Sequence, residues 1–160
     1  MQLGLQRARE VVGLLVLLIG GGCSYSTRFV VINATNAPIR VRLSSDVGPG
    51  TCPLGQLNRS SPHVLPTSRM EESPKERPKE PVGVLDSVAC TLDLQLPTEH
   101  SAVVAVLSNY TDEHVIGDFP SEIRIDGAEG VLALRGARID RLFRRRSRFL
   151  YVIEYGRPAA

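Results

Sequence analysis

Between residues 88 and 96 the chain alternates: Val88, Cys90, Leu92, Leu94 and Leu96 fall on one side, Ala89, Thr91, Asp93 and Gln95 on the other. A period of two sends successive side chains to opposite faces of a pleated strand. This segment therefore predicts a strand with one buried face, Cys90 included, ended by Pro97. The same alternation recurs where Ile39, Val41 and Leu43 interleave with Arg40, Arg42 and Ser44, and where Ile123 and Ile125 interleave with Glu122, Arg124 and Asp126. Ala102 to Leu107 is apolar on both faces, which predicts a central strand. The apolar stretch Phe29 to Ile32 precedes Ile39–Leu43 across the turn-forming Asn33–Pro38, and the pair reads as a hairpin. A second hairpin turn, Gly127-Ala128-Glu129-Gly130, leads into Val131–Leu134, and Phe149–Tyr155 forms a final β-branched and aromatic strand ending at Gly156.

Only Ile139, Leu142 and Phe143 carry helical spacing, over a single turn. About seven short strands separated by turn signals predict an all-β antiparallel sandwich, with a small closed barrel as the alternative. There is no Trp and aromatic content is 5%, so the core rests on Val, Leu and Ile. The missing Trp, and the position of Cys52 in a turn-rich segment, argue against a true immunoglobulin domain. One domain over residues 29–156 accommodates every strand, interrupted by an insert at 58–81. That insert holds five prolines (Pro62, Pro66, Pro74, Pro78, Pro81) and charges of both signs, with little apolar beyond Val64, Leu65 and Met70. It buries too little surface to offset its ordering entropy and is expected to be disordered or PPII-like.

The first residues have a different character. Arg7 and Arg9 precede the uncharged run Val11–Ile19, which stops well short of the roughly 20 residues that cross a bilayer and has no polar face for an amphipathic helix. A basic flank, a short apolar run and then Gly20, Gly21, Gly22 predict an export signal over residues 1–22. Gly21-Gly22-Cys23 resembles the lipobox of bacterial lipoproteins, where small residues precede a cysteine that becomes the acylated mature N-terminus. The pattern departs from the family at Gly20, where Leu is usual; the large apolar residue here is Ile19. The resemblance implies a diacylglyceryl and palmitoyl modification at Cys23, followed by a tether over residues 23–28. Because Ser24 is not the Asp that favours inner-membrane retention in that family, it also implies an outer-membrane address facing the periplasm. The alternative is an ordinary cleaved signal in which Cys23 is an incidental thiol.

Three cysteines in an exported protein leave one over. If Cys23 carries lipid, Cys52 and Cys90 remain as a pair that an oxidising compartment joins; the alternative is two buried thiols. A bridge there clamps the base of the Pro-rich insert.

A formal charge of +2 excludes a general nucleic-acid binder, which needs a strong basic excess to displace counterions. Charge concentrates instead in one run: Arg138, Arg141, Arg144, Arg145, Arg146 and Arg148 against the lone acid Asp140. Guanidinium forks match phosphate and carboxylate geometry, so the run is an expected contact for anionic headgroups, an acidic glycan or an acidic envelope protein. It equally fits gatekeeper charges beside a hydrophobic edge. Glu99-His100 and Asp112-Glu113-His114 hold metal-ligating side chains, but no HExxH, CxxC or repeated ligand spacing accompanies them, and His63 falls in the insert. No GxSxG elbow or phosphate-binding Gly loop is present. No cofactor, metal or catalytic residue is assigned. Asn33, Asn58 and Asn109 each begin an Asn-x-Ser/Thr sequon, which a bacterial lipoprotein signal makes incidental. The expected class is a non-catalytic binding or assembly module of the envelope, with a metal-assisted hydrolase using His100 and His114, or a structural spacer, as alternatives.

Overall fold

The computed structural model describes residues 25–46, 52–55, 57, 64–70, 83–108, 110, 119–136 and 138–156. Its strands are β1 (Ser26–Asn33), β2 (Ile39–Ser44), β3 (Val64–Pro66), β4 (Gly83–Asp86), β5 (Thr91–Leu96), β6 (His100–Ser108), β7 (Glu122–Gly127), β8 (Gly130–Arg135), β9 (Arg144–Ser147) and β10 (Leu150–Tyr155). They form two sheets, ordered β3-β6-β1-β10-β9 and β4-β5-β2-β7-β8. Every pairing is antiparallel except β1 with β10. Neither sheet closes on itself, so the architecture is the all-β sandwich rather than the barrel.

The core lies between the sheets. Ile39, Val41 and Leu43 of β2, Leu92, Leu94 and Leu96 of β5, and Ile123 and Ile125 of β7 are all at most 1% exposed. Their alternate neighbours carry the charged outer face. There Arg40 and Arg42 both reach Asp93 (2.9 and 3.0 Å), Arg124 pairs with Asp126 (2.9 Å), and Arg135 pairs with Glu122 (2.8 Å). Arg42 stands directly opposite Arg124, and the two acids offset that like-charge pair. Burial pushes the Asp93 carboxyl up, but hydrogen bonds from Arg42 and Arg40 bring it below the ordinary carboxylate value.

The hairpin expected from Phe29–Ile32 and Ile39–Leu43 does not form. β1 lies at the centre of one sheet and β2 at the centre of the other, so residues 34–38 cross between layers. The burial demands of the two segments account for this. Phe29 and Val31 face the core, while Val30 and Ile32 face a second apolar cluster with Met70, Val103, Leu150 and Val152 on the far side of the sheet. A strand buried on both faces cannot sit beside β2, whose outer face is solvated arginine.

Asn33 fixes the crossover. Its side-chain amide is 1% exposed and donates to the carbonyls of Ala37 (2.8 Å), Leu96 (3.1 Å) and Pro97 (3.1 Å). Its Oδ1 accepts from the Thr35 N–H (3.0 Å) and hydroxyl (2.7 Å). The Asn33-Ala34-Thr35 sequon is thus a local turn device that also ties the β5–β6 turn to the crossover.

Three further expectations change. Ser26–Arg28, read as tether, already belong to β1, with Thr27 buried. Part of the Pro-rich insert is ordered: Val64–Pro66 pair with β6 as β3, Thr67–Arg69 form a 3₁₀ turn (η1), and Met70 is buried in the outer cluster. The rest of that insert lies outside the described residues. Finally, β5 begins at Thr91, not Val88. The Asp86 carboxylate accepts from the Val88 and Ala89 N–H groups (2.9 and 3.0 Å), closing a β4–β5 hairpin turn that leaves Val88 97% exposed. Cys90 sits in that turn with φ +46°, and its side chain is buried all the same.

Cys52 and Cys90 form the disulfide, with Cα atoms 5.3 Å apart and 38 positions between them in sequence. Replacing both with serine is expected to lower stability by about 4 kcal/mol, the chain-entropy value for a loop of that size; denaturant unfolding of oxidised protein against the variant measures it. Asn33→Ala removes the amide donor shared by the Ala37, Leu96 and Pro97 carbonyls and is expected to cost about 2 kcal/mol. The same denaturant unfolding checks this, with Asn33→Asp as a comparison that keeps the acceptor and loses the donor.

Candidate functional site

The parallel register of β1 and β10 brings Arg28 beside Leu150, so the point where the chain enters β1 meets the turn that follows β9. The Arg28 N–H donates to the Phe149 carbonyl (3.0 Å). Tyr25, the first described residue, packs its ring tilted against Phe149 with centroids 5.1 Å apart and donates its hydroxyl to the Tyr110 carbonyl (2.9 Å). Tyr110 follows β6, whose end pairs with the start of β1. Three chain segments therefore converge at one end of the sandwich.

Beneath them lies an aromatic cluster built on Phe29, which is fully buried. Its ring centroid is 5.1 Å from Tyr110, 4.9 Å from Phe119, 5.4 Å from Phe143 and 5.1 Å from Tyr151. Three of these contacts are edge-to-face and the one with Tyr151 is stacked, geometries that suit the aromatic quadrupole. The cluster holds the rims of two small concavities. One, of about 280 Å³, is lined by Tyr25, Tyr110, Tyr151, Phe149, Arg145 and Arg148. The other, of about 340 Å³, is lined by Tyr110, Tyr151, Phe143, Asp140 and Arg141. The two share Tyr110 and Tyr151; Arg145 and Arg148 line the first and Arg141 the second.

The structure divides the six arginines of the basic run. Arg138 is committed inward: its Nε and Nη2 donate to the two Asp140 oxygens (3.1 and 3.0 Å), and Tyr110 donates to the same carboxylate (3.0 Å). Asp140 is 2% exposed and lies within the short 3₁₀ turn η2 (Ile139–Leu142), which its bond from Tyr110 ties to the aromatic cluster. Burial raises its pKa, but the Arg138 and Tyr110 hydrogen bonds outweigh that and hold it below the ordinary value of 3.8. Arg146 pairs with Glu154 (3.7 Å). Arg144–Ser147 form β9, an exposed edge strand, so these charges also serve the edge-protecting role. Arg148 lies 5.0 Å over the Phe149 ring, a cation–π contact, and Arg145 Nε donates to the Ser147 carbonyl (3.4 Å). Arg141, Arg144, Arg145 and Arg148 are exposed and have no carboxylate partner among the described residues.

Elsewhere the chemistry is less convergent. A cleft of about 560 Å³ beside Phe119 and Ser121 includes Glu122 and Arg135, which pair with each other, and Asp140, which is turned to Arg138. His100 begins β6 at the opposite end of the sandwich, its Nδ1 2.8 Å from the Thr98 carbonyl oxygen. Asp112, Glu113 and His114, expected as its partners, lie outside the described residues, as do His63, Cys23, Asn58 and Asn109. Among the described residues no three His, Cys, Asp or Glu side chains group closely enough to hold a metal ion. No helix among them is long and apolar enough to cross a membrane.

Sequence reading found the arginines but missed the tyrosines that organise them. Tyr25, Tyr110 and Tyr151 are far apart in the chain and share no spacing; only the strand register brings them together. Asp140, the single acid in a basic run, was the available sign that one arginine is structural. No protein-family model, curated protein or solved structure matches the chain.

The Asp140 carboxylate, with a folded pKa below its unfolded value, contributes stability that is fully present well above pH 3.8. That contribution fades as pH falls through 3.8 and is gone below the folded value. Asp140→Asn is expected to lose about 3 kcal/mol at neutral pH by leaving Arg138 without its carboxylate. It is also expected to show a flatter acid limb than the parent when unfolding is followed by circular dichroism across acid pH.

Proposed function

We propose that this chain is an outer-membrane-anchored envelope lipoprotein whose β-sandwich binds or helps assemble another envelope component without catalysis of its own. The signal over residues 1–22 and the lipobox-like Gly21-Gly22-Cys23 supply the address. The observation that carries the reading is the fixing of Tyr25 onto Tyr110 and Phe149. It stands two positions after Cys23, and such a link spans at most about 7 Å. A lipid on Cys23 thus holds the tyrosine- and arginine-lined end of the sandwich close to the bilayer, and the charged outer face of the β2 sheet is left for a protein or glycan partner. The exposed arginines and the small, open concavities favour surface recognition over enclosed chemistry.

Mass spectrometry of the mature N-terminus is expected to find diacylglyceryl-Cys23 with an added acyl chain. A Cys23→Ser chain is expected to leave the membrane fraction and remain folded, since every described element begins after that position. An unmodified Cys23 in the parent protein overturns the anchor. Cross-linking in intact envelopes is expected to trap a stoichiometric partner, and a chain that cross-links only to lipid overturns the assembly role.

A further inference from the structure

We propose that the concavity formed by Tyr25, Tyr110 and Tyr151 with Arg145 and Arg148 binds the phosphate headgroup of an anionic phospholipid next to the protein's own anchor. The inference rests on the lipoprotein reading, because it is the anchor that selects a headgroup over other anions.

Three observations point to this occupant. First, charge is sorted. Arg138 and Arg146 are matched by Asp140 and Glu154, whereas Arg145 and Arg148, which line this concavity, have no carboxylate partner among the described residues. Guanidinium groups left exposed around one aromatic floor offer donors to an incoming phosphate. Second, the side chains that carry the charge are held. Arg148 packs over Phe149, Phe149 leans on the Tyr25 ring, and Arg145 lies opposite Tyr151 in the β9–β10 register. Aromatic rings with polar tips beside arginine suit the headgroup level of a membrane, where one side is apolar and the other wet. Third, Tyr25 lines the concavity and stands two residues from the lipid-bearing position, so the headgroup plane is delivered to these arginines at high effective concentration.

The test uses the mature-length chain with Cys23→Ser and the disulfide formed, so no lipid of its own contributes. Sedimentation with phosphatidylglycerol vesicles is expected to exceed that with phosphatidylcholine vesicles, and about 1 M salt, where the Debye length is about 3 Å, is expected to release the protein. Arg145→Gln and Arg148→Gln are each expected to weaken phosphatidylglycerol binding about five-fold, and about 25-fold together. Arg40→Gln, on the other sheet, is expected to leave it unchanged.

Equal binding to the two vesicle types overturns the site, as does a loss in Arg40→Gln equal to that in Arg148→Gln. Saturation by inorganic phosphate without vesicle preference assigns the concavity to a free anion, and binding of an acidic polysaccharide through the same arginines without vesicle binding assigns it to a glycan; either result overturns the proposal. Should a glutamine variant fail to fold, the salt titration and vesicle preference of the parent decide. The anchor is judged separately. Diacylglyceryl-Cys23 with no phosphatidylglycerol preference ends this site and leaves the lipoprotein reading intact, and phosphatidylglycerol binding by a chain whose native Cys23 is unmodified does the reverse.

Discussion

The parallel pairing of the first described strand with the last is the constraint on which the rest of the molecule depends. β1 has β6 on one side and β10 on the other, so a segment at the start of the domain is locked by two later ones, of which β10 comes more than a hundred positions further along the chain. Antiparallel neighbours would follow from simple turns, whereas a parallel pair needs the whole intervening chain to return first. Once β10 lies along β1, Phe29 and Tyr151 stack, Tyr25 meets Phe149, and the arginines of the preceding turn gather around the start of the chain. The composition of the basic end is thus a result of topology rather than of local sequence.

Two buried polar groups secure opposite ends of this arrangement. Asn33 joins the layer crossing to the β5–β6 turn through three backbone carbonyls, and Asp140 joins η2 to Tyr110 and Arg138. Each satisfies groups that burial would otherwise leave without partners, and each sits where regular strand pairing stops. Between them the core is aliphatic and the outer face of one sheet is laced with ion pairs that individually contribute little.

Much of the fold was legible in alternation. Ile39–Leu43, Leu92–Leu96 and Ile123–Ile125 show their buried faces in the sequence, and the Gly127–Gly130 turn joins β7 to β8 as read. Failures came where partners are distant or where a turn mimics a strand. Period-two spacing alone extended β5 back to Val88, because Asp86 acting as a turn acceptor leaves no mark on the apolar pattern. The turn chemistry of Asn33–Pro38 suggests a β1–β2 hairpin, although the unbroken apolar run of β1 requires two buried faces. In the insert, Val64, Leu65 and Met70 are too few to signal order in the sequence, yet Val64 and Leu65 pair with β6 and Met70 covers the outer cluster. For the site, the arginine run was visible and its internal division was not, since it depends on which guanidinium faces Asp140 or Glu154.

The bridge between Cys52 and Cys90 also bears on when the sandwich reaches its full depth. Cys90 sits in a left-handed turn whose carbonyl accepts from the Ser45 N–H, so it belongs to the scaffold, while Cys52 lies on a connecting segment. With thiols reduced, that connection is held by contacts alone, and the unfolded chain keeps its larger freedom. Electron removal, not packing, completes the structure. The protein is therefore a softer object under reducing conditions than under oxidising ones, and its final rigidity is acquired by a chemical step that depends on the redox poise of its surroundings.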